Sequence, residues 1–408
     1  MRNLLFLSHI LPYPPDAGVR IRTHHLLREL SQEYRIFFLA FYRAKAVMSP
    51  ERLNAAKEAL SAYTHHIAVH PIPQEHSRLR WVADHARSVL NRKVYTRRVY
   101  WSEAYLADLQ SLLDEHPIDL VHVDSLDLSV YLDSLPKALP HVVGHHNIES
   151  SLLRKRALVQ SSIFKKLYLS HQAKLMRQEE AKYSSHARVN LVVSPDDRSE
   201  LQSISPGSKV EIIPNGVDTQ FFEPSASHAT SSNKGIVFVG GTSWFPNKDG
   251  LEFFASEIWP YIRKRQPQAT VTWIGRATAP EIHSYSRLPG FTMTGYVDDI
   301  RPHIRKASCY VVPLRVGGGT RLKILDAWAM GKAVVSTEQG CEGLMTIDGE
   351  NILIRNSAED FGDAVIQLLV DSALRERLQE HARRTAEDFY SWTQIGGTLR
   401  TLYHTAAV

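Results

Sequence analysis

The regular alternation of short apolar runs with longer amphipathic segments, in both halves of the chain, most constrains what this sequence can fold into. The pattern begins with an apolar run at 3–9, a loop at 11–18 and an amphipathic segment at about 21–30. Short apolar runs predict buried strands, and amphipathic segments predict the helices that cover them. Strands that alternate with helices are typical of parallel sheets built from βαβ units. The sequence therefore predicts an α/β protein.

The same alternation restarts in the second half, which indicates a second sheet. The remaining predicted strands are 36–41, 120–123, 141–145, 190–194, 235–240, 270–275, 291–295, 309–313 and 333–336, and the remaining predicted helices are 250–265, 321–330 and 358–369. Between the two sets, Glu223–Lys234 is small and polar, as surface connections are. We therefore expect two Rossmann-like sheets joined by a hinge, with ligands bound at the carboxyl ends of the strands.

Length and composition exclude several classes of protein. A chain of 408 residues is long enough for two domains, and its 43% hydrophobic and 22% charged residues are typical of a globular protein. No apolar run approaches the roughly 18 residues of a membrane span, and the apolar segment at 4–8 is too short for a signal peptide. We therefore expect a cytoplasmic protein. The two cysteines, Cys309 and Cys341, offer no disulfide framework.

Positive charge is concentrated in the first half of the chain. Residues 1–188 contain 26 Lys and Arg against 18 Asp and Glu, whereas residues 189–408 contain 22 against 25. In the stretches 76–99 and 154–174, basic residues interleave with apolar ones. Such stretches bind anionic lipid headgroups or form ordinary solvated helix faces, and the sequence leaves both readings open. A nucleic-acid partner is not expected, because the sequence contains no recognition module.

The most informative motif is the glycine-rich segment Val316–Gly331, which follows a predicted strand. Its three glycines let backbone amides approach a ligand, and Thr320 can cap the helix whose first turn then presents free N–H groups. Arg321 and Lys323 add positive charge to a turn where the helix dipole disfavours cations, and a bound diphosphate would resolve that conflict. Asp326 lies on the same helix face and can accept hydrogen bonds from a diol such as ribose. The alternative is a structural glycine turn with a Lys323 and Asp326 helix pair worth ~0.3 kcal/mol.

Two further loops follow predicted strands and contain glycine. Gly240–Lys248 resembles a phosphate loop, but it matches neither the G-x-G-x-x-G nor the Walker pattern. In the first half, the loop 12–18 places Gly18 at the entry to the first helix, where it can face the same ligand. Each of these loops alone is a weak indication of phosphate binding.

A polar cluster, His145–Glu149, ends the predicted strand at 141–145. His146 can bind a sugar hydroxyl or assist an acceptor, although a pair of histidines in a chain with 20 of them is often incidental. The sequence contains no H-E-x-x-H, C-x-x-C or Asp-x-Asp motif, so no metal is expected, and helix capping accounts for Asp298 and Asp299. The hydrolase motif G-x-S-x-G is also absent.

These segments together resemble glycosyltransferase family 4. The segments that carry the resemblance occur in the family's order, over nearly the whole chain, and are Ile213–Asp218, Gly240–Asn247, Gly295–Asp299, Gly317–Gly331 and Gly340–Gly343. The triple-glycine form of the fourth segment resembles the branch found with bacterial exopolysaccharide clusters, including those linked to the exosortase and PEP-CTERM sorting system. The resemblance implies an enzyme that uses a nucleotide-sugar.

The resemblance implies the GT-B fold, in which two Rossmann-like domains face each other across a cleft. It places an acceptor-side domain at 1–190 and a nucleotide-sugar-binding domain at 191–390, with a final helix in 391–408 crossing back to the first domain. The implied reaction moves a sugar from a nucleoside diphosphate to a saccharide or lipid-linked acceptor, with retention of anomeric configuration, in exopolysaccharide or other cell-surface glycan synthesis. The implied protein needs no cofactor or metal, and it is cytoplasmic or peripheral at the inner face of the membrane.

The resemblance also assigns residues to roles. The implied catalytic residues are Arg321, Lys323 and His146. The implied donor-binding residues are Gly18, Gly241, Thr242, Arg276, Tyr296, Val297, Gly318, Gly319, Thr320, Asp326 and Glu342. The family carries two acids eight residues apart in the fourth segment; the second aligns with Asp326, but Gly318 stands in place of the first. Glu342 is the candidate to replace that acid in recognising the donor sugar.

The implied chemistry builds negative charge on the departing phosphate, so positive groups aimed at it are the main requirement. Each preorganised donor is worth roughly 3 kcal/mol in such a site. Two other functions fit the same fold: a nucleotide-sugar epimerase, which needs no acceptor, and a non-catalytic scaffold, which the missing acid at Gly318 leaves open. An NAD-dependent dehydrogenase is disfavoured, because neither half has the dinucleotide glycine spacing followed by an acid.

Overall fold

The computed structural model describes residues 1–43, 49–158, 160, 162–224, 234–317 and 321–407. The chain divides into two compact units. The first unit is Met1–Pro214 together with the C-terminal residues from Gly396, and the second unit is Asn215–Ile395. None of the helices in the described ranges combines the length and the apolar character that a membrane span requires.

The first unit is built on a seven-stranded parallel sheet with the strand order β3-β2-β1-β4-β5-β6-β7. Its strands are β1 (Arg2–Ser8), β2 (Tyr34–Tyr42), β3 (His66–Pro71), β4 (Leu120–Val123), β5 (His141–Gly144), β6 (Val189–Val192) and β7 (Val210–Ile212). Its helices are α1 (Gly18–Leu30), α2 (Pro50–Ser61), α3 (Arg78–Asn91), α4 (Thr96–Val99), α5 (Glu103–Glu115), α6 (Ser129–Leu132), α7 (Glu149–Leu158), α8 (Ile163–His186) and α9 (Pro195–Ile204). Short 3₁₀ turns lie at Pro73–His76 and Leu126–Leu128.

The second unit is built on a six-stranded parallel sheet with the order β10-β9-β8-β11-β12-β13. Its strands are β8 (Gly235–Val239), β9 (Thr270–Ile274), β10 (Phe291–Gly295), β11 (Cys309–Val312), β12 (Ala333–Ser336) and β13 (Leu353–Ile354). Its helices are α10 (Phe245–Phe253), α11 (Trp259–Arg265), α12 (Ala279–Ser286), α13 (Arg301–Lys306), α14 (Leu322–Ala329), α15 (Ala358–Val370) and α16 (Ser372–Tyr390), and α17 (Trp392–Ala406) passes from this unit into the first.

The central strands are apolar on both faces because helices cover both sides of each sheet. In β1, Leu4–Leu7 are fully buried, and in β11 all of Cys309–Val312 are fully buried. In the second unit the rings of Phe238 and Trp273 stack with centroids 3.8 Å apart at the centre of the core. The predicted α/β class with two Rossmann-like sheets is confirmed.

The boundary between the units differs from the predicted one. Residue 190 falls inside β6, which pairs with β5 on one side and β7 on the other, so the chain remains in the first unit to Pro214. The predicted C-terminal segment 391–408 is divided at Gly396, from which α17 belongs to the first unit. The composition of the sequence does not change at either point. Each boundary depends on which strand or helix a segment packs against, and composition does not show this. Of the predicted connection 223–234, residues 225–233 lie outside the described ranges.

Two predicted helices begin or run differently from the sequence pattern. The helix expected at 250–265 begins at Phe245 and contains a π-helical turn, Phe254–Ile258, before it continues as α11. The N-cap position of α14 is Arg321, with no side-chain capping bond; Thr320, the expected cap, lies outside the described residues. The helix begins at Leu322, one residue later than a Thr320 cap requires.

Candidate functional site

The predicted phosphate loop after β8 packs closely against the backbone that follows β9. A Cβ on Gly241 would lie 2.9 Å from the Arg276 carbonyl oxygen, and one on Gly275 (φ +146°) would lie 2.5 Å from Gly240. The Thr242 backbone N–H donates to that same Arg276 carbonyl at 2.9 Å, and the Thr242 hydroxyl donates to a Glu281 carboxylate oxygen at 3.0 Å. These glycines therefore permit two backbone segments to touch, and the Thr242 hydroxyl is already engaged within the protein.

Lys323 lies on the first turn of α14 and faces the loop after β8. Its Nζ donates to Asn247 Oδ1 at 2.7 Å and lies 4.3 Å from the centroid of the Phe238 ring. Burial, with the charge of Arg321 adding to it, lowers the pKa of Lys323 to about 7. No carboxylate in the described ranges forms an ion pair with this ammonium group, although Asp326 lies one turn further along the helix. A half-buried ammonium of this kind is stabilised by an added anion.

Asp326 is the second half-buried charged group of α14. Burial raises the pKa of its carboxyl group to about 7, against the opposing effect of Lys323. In the part of the chain with described positions, no hydrogen bond or ion pair reaches this carboxylate. The predicted pair is therefore not a closed salt bridge, and the Asp326 oxygens remain able to accept hydrogen bonds from a ligand.

Arg321 is only 3% exposed and bonds to the turn at 339–342. Its Nε and Nη2 donate to the Gln339 carbonyl oxygen at 3.2 and 2.8 Å, and Nη2 lies 3.5 Å from Glu342 Oε2. The Gln339 side-chain amide donates to the same Glu342 oxygen at 2.6 Å and to the Gly317 carbonyl at 2.8 Å. The structure therefore brings together Arg321 and Glu342, which the sequence predicted as separate members of one site.

Arg276 and Tyr296 are also brought together, at the ends of β9 and β10. The Arg276 guanidinium lies 5.0 Å from the centroid of the Tyr296 ring, which is 63% exposed. Val297 is partly buried and packs against the core of the second unit. An exposed aromatic face beside a guanidinium is an arrangement on which a planar base can stack.

The remaining predicted donor residues fall in two groups. Gly18 is the first residue of α1, whose N-cap residue, Ala17, makes no side-chain capping bond. Gly318, Gly319 and Thr320 lie outside the described residues.

His146 belongs to a buried cluster in the first unit, at the carboxyl ends of β1, β4 and β5. Its Nε2 lies 3.4 Å from Asp124 Oδ1, and His9 Nδ1 lies 3.8 Å from Asp124 Oδ2. The hydroxyls of Ser8 and Thr23 donate to Asp124 Oδ2 at 3.0 and 2.8 Å. Asp124 is thus an almost fully buried carboxylate around which the other groups are arranged.

The charge of Asp124 is maintained by its neighbours. Burial alone would raise the pKa of its carboxyl group, but His146 and His122 hold the pKa well below its usual range. His122 Nε2 lies 3.5 Å from Asp124 Oδ1, and its Nδ1 is 2.6 Å from the Tyr403 hydroxyl on α17, so His122 is held on both sides. Burial lowers the pKa of His9 to about 4, so this imidazole is neutral at pH 7.

The two histidines that follow β5 differ in their surroundings. His145 is buried with Nε2 3.1 Å from Asn190 Oδ1, an interaction between neighbouring strands. His146 instead faces Asp124. The sequence analysis did not identify Asp124, His9 or Thr23 as members of this cluster. The only signal available was that His9 ends a predicted strand while Asp124 and His146 each follow one, and parallel strands end at one edge of a sheet.

Family models match both units. A model described as Glycosyltransferase Family 4 matches residues 17–221, and one described as Glycosyl transferases group 1 matches residues 233–371. The chain is 25% identical, over 247 residues, to an uncharacterized 44.6 kDa protein in the cps region of Klebsiella pneumoniae, covering 58% of this chain and 62% of that protein. It is 26% identical, over 213 residues, to a phosphatidyl-myo-inositol mannosyltransferase of Mycobacterium tuberculosis, covering 49% and 55%. The chain thus aligns with less than two thirds of the length of each relative.

A solved structure resembles the whole chain. The structure of Anabaena Alr3699/HepE in complex with UDP has a TM-score of 0.67 at 13% sequence identity, covering 99% of this chain and 100% of that one. The same Anabaena protein has been solved in complex with UDP-glucose, with a TM-score of 0.65 at 14% identity and the same coverage.

Proposed function

The chain belongs to glycosyltransferase family 4 and has the GT-B fold class that its sequence predicted, and from this premise we propose that it transfers a sugar from a nucleoside diphosphate to a saccharide or lipid-linked acceptor. The observation that carries the proposal is Lys323, a half-buried ammonium on the first turn of α14 that no described carboxylate pairs with. A diphosphate supplies the missing negative charge. The transfer serves the synthesis of exopolysaccharide or another cell-surface glycan.

In the proposed reaction, the bond between the anomeric carbon and the phosphate oxygen breaks, and negative charge accumulates on the leaving diphosphate. The Lys323 ammonium and the Arg321 guanidinium stabilise that charge, each preorganised donor contributing roughly 3 kcal/mol. The phosphate then accepts the proton of the attacking hydroxyl, and the new bond forms on the face that the phosphate left, which gives retention. No step in this scheme requires a metal.

Other residues position the donor and the acceptor. The Asp326 carboxylate accepts hydrogen bonds from the ribose diol, and the base stacks near Arg276 and Tyr296. Glu342, held by Gln339 beside Arg321, binds hydroxyls of the donor sugar in place of the acid that Gly318 replaces. In the first unit, His146 contacts an acceptor hydroxyl while Asp124 orients its ring.

Binding of UDP-glucose is expected to weaken by up to about 10-fold as the pH rises from 7 to 8. The Lys323 pKa of about 7 means that its positive charge is lost above that pH, and Asp326, also with a pKa of about 7, gains negative charge over the same range. The loss of the Lys323 charge weakens the attraction for the diphosphate by more than the ionised Asp326 carboxylate strengthens its hydrogen bonds to the ribose. Titration calorimetry between pH 6 and 9 measures this dependence; UDP-glucose is suitable because its diphosphate is fully ionised throughout.

A panel of nucleotide-sugars tests the proposed activity. UDP-, GDP-, ADP- and TDP-sugars are incubated with the protein, with and without a membrane extract as acceptor, and nucleotide release is measured. Release that requires the acceptor supports transfer. A changed sugar without any acceptor identifies an epimerase, and donor binding without any turnover identifies a scaffold.

In the pH titration, an affinity for UDP-glucose that stays constant from pH 6 to 9 would remove Lys323 from the donor site.

A lipid-linked acceptor requires contact with a membrane surface, and the first unit has a suitable surface. Helix α3 exposes Leu79 (84%), Trp81, Val82 and Leu90, and the start of α8 exposes Phe164 (81%) and Leu167. The two helices touch, since the Gln172 side-chain amide donates to the Ser88 hydroxyl at 2.8 Å. Exposed basic residues flank the apolar ones: Arg87, Arg92, Lys93, Lys165 and Lys166. We therefore include in the proposal that α3 and α8 bind anionic lipid.

The double substitution Leu79→Asp and Leu90→Asp is expected to reduce binding to vesicles that contain anionic phospholipid by at least about 10-fold, because it places charge in the apolar contact. Co-sedimentation measures the binding. The control is Met345→Asp with Ile347→Asp, at two exposed positions of the second unit, which is expected to leave binding unchanged. Equal binding of all three proteins, or of neutral and anionic vesicles, contradicts the assignment.

A further inference from the structure

We propose that His9, Asp124 and His146 form a binding site for a divalent cation of the zinc class. The two imidazole nitrogens and a carboxylate oxygen all lie within 4.8 Å of one another. The site lies in a different unit from the residues assigned to the donor diphosphate. It shares His146 and Asp124 with the proposed acceptor contact, and it goes beyond the proposed function by adding His9 and a bound cation to them.

The distances within this cluster exceed those of well-formed hydrogen bonds, and the shortest of them joins His146 Nε2 to Asp124 Oδ1 at 3.4 Å. His9 Nδ1 and Asp124 Oδ2 are 3.8 Å apart, which is beyond hydrogen-bonding distance. His9 Nδ1, His146 Nε2 and Asp124 Oδ1 are buried, and none of them has a well-oriented hydrogen-bond partner in the part of the chain that the structure describes. Buried polar atoms without partners are costly, and three that converge on one point indicate that a ligand belongs there.

The cluster is close to the dimensions of a metal site. The centre of a triangle with edges of 4.8 Å or less is at most about 2.8 Å from each corner, whereas zinc bonds to nitrogen and oxygen are ~2.0–2.2 Å long. Each donor atom therefore needs to move by about 0.8 Å or less. Small rotations of the two imidazole side chains supply such a movement.

The donor set selects the kind of ion. Two imidazole nitrogens with one carboxylate suit zinc and the neighbouring transition metals, whereas Mg²⁺ and Ca²⁺ prefer oxygen ligands. The carboxylate is held in place from behind, because Ser8 and Thr23 both donate to Asp124 Oδ2. Fixed ligands of this kind are typical of metal sites, and three protein ligands leave one coordination position open.

The test is metal binding by the full chain after treatment with a chelator. Calorimetric titration with Zn²⁺ is expected to show one tight equivalent, and Co²⁺ in its place is expected to show visible absorption bands of a nitrogen-ligated, low-coordinate ion. His9→Ala and His146→Ala are each expected to weaken this binding by at least ~10-fold and to abolish the Co²⁺ bands. His283→Ala, which alters an exposed histidine on α12, is the matched control and leaves both unchanged. Circular dichroism confirms that each variant is folded.

Three results overturn the proposal. The first is the absence of a tight equivalent in the wild-type protein. The second is Zn²⁺ binding and Co²⁺ bands that survive in the folded His9→Ala/His146→Ala double variant, which would place the ion on other histidines. The third is Mg²⁺ binding at the same stoichiometry and affinity as Zn²⁺, which the imidazole ligands do not explain. Because these readouts involve no sugar transfer, they are independent of whether the proposed function holds.

Discussion

Lys323→Met is expected to lower kcat for sugar transfer by about 100- to 1,000-fold while the protein stays folded. Methionine retains the length and apolar stem of the side chain, which lies over the Phe238 ring, but it removes the charge that faces the departing phosphate. The unfolding free energy is not expected to fall, because burial already disfavours the charged lysine. Nucleotide release at saturating donor gives kcat, and thermal unfolding followed by circular dichroism gives the stability.

The matched control for this substitution is Lys264→Met, which removes an exposed lysine on α11. It is expected to leave kcat unchanged. If Lys323→Met retains kcat within about threefold of the wild-type value, the charge does not act in the rate-limiting step. The assignment of Lys323 to stabilising the leaving diphosphate is then wrong.

Arg321→Ala is the second substitution with a large expected effect: a loss of turnover of at least about 100-fold. It also removes the bonds to the Gln339 carbonyl and to Glu342, so the unfolding free energy is expected to fall by about 1–3 kcal/mol. Glu342 is itself partly exposed, and water can therefore solvate its carboxylate once the guanidinium is gone. Steady-state kinetics and denaturant unfolding of the same preparation separate the two effects.

Glu342→Gln distinguishes the two possible roles of Arg321. This variant retains a side chain of the same size that can accept the Gln339 amide hydrogen bond, but it loses the ion pair with Arg321. If Arg321 acts on the phosphate, Glu342→Gln retains most of kcat and chiefly raises KM for the donor sugar. If Arg321 serves only to hold the turn at 339–342, both substitutions lower kcat and stability in parallel, and the assigned catalytic role is refuted.

Much of the fold was predictable because parallel strands buried on both faces must be continuously apolar. That requirement makes β1 and β11 visible in the sequence as apolar runs. The missed strands lack this property: β7 has three residues, β13 has two, and β3 is only partly buried at the edge of its sheet. Short or edge strands bury too little apolar surface to produce a pattern, so the boundary at Pro214 could not be located from the sequence.

The second-unit site was predictable for a different reason. Its charged members, Arg321, Lys323 and Asp326, lie within six consecutive residues. The unfavourable placement of two cations at a helix N-terminus can therefore be recognised from the sequence alone. Their partners were not. Asn247, on the first turn of α10, and Gln339 meet these side chains because the connections that follow β8 and β12 lie at the same edge of the sheet.

The sequence by itself determined the α/β class, the presence of two sheets and the cationic turn at the start of α14, because each depends on residues that are neighbours along the chain. Only the tertiary structure decided that His9, Asp124 and His146 meet, since they are contributed by three strands that are far apart in sequence. It also decided the protonation of His9 and Asp124. Burial lowers the pKa of His9 and neighbouring histidines lower that of Asp124, and neither influence exists until the chain has folded.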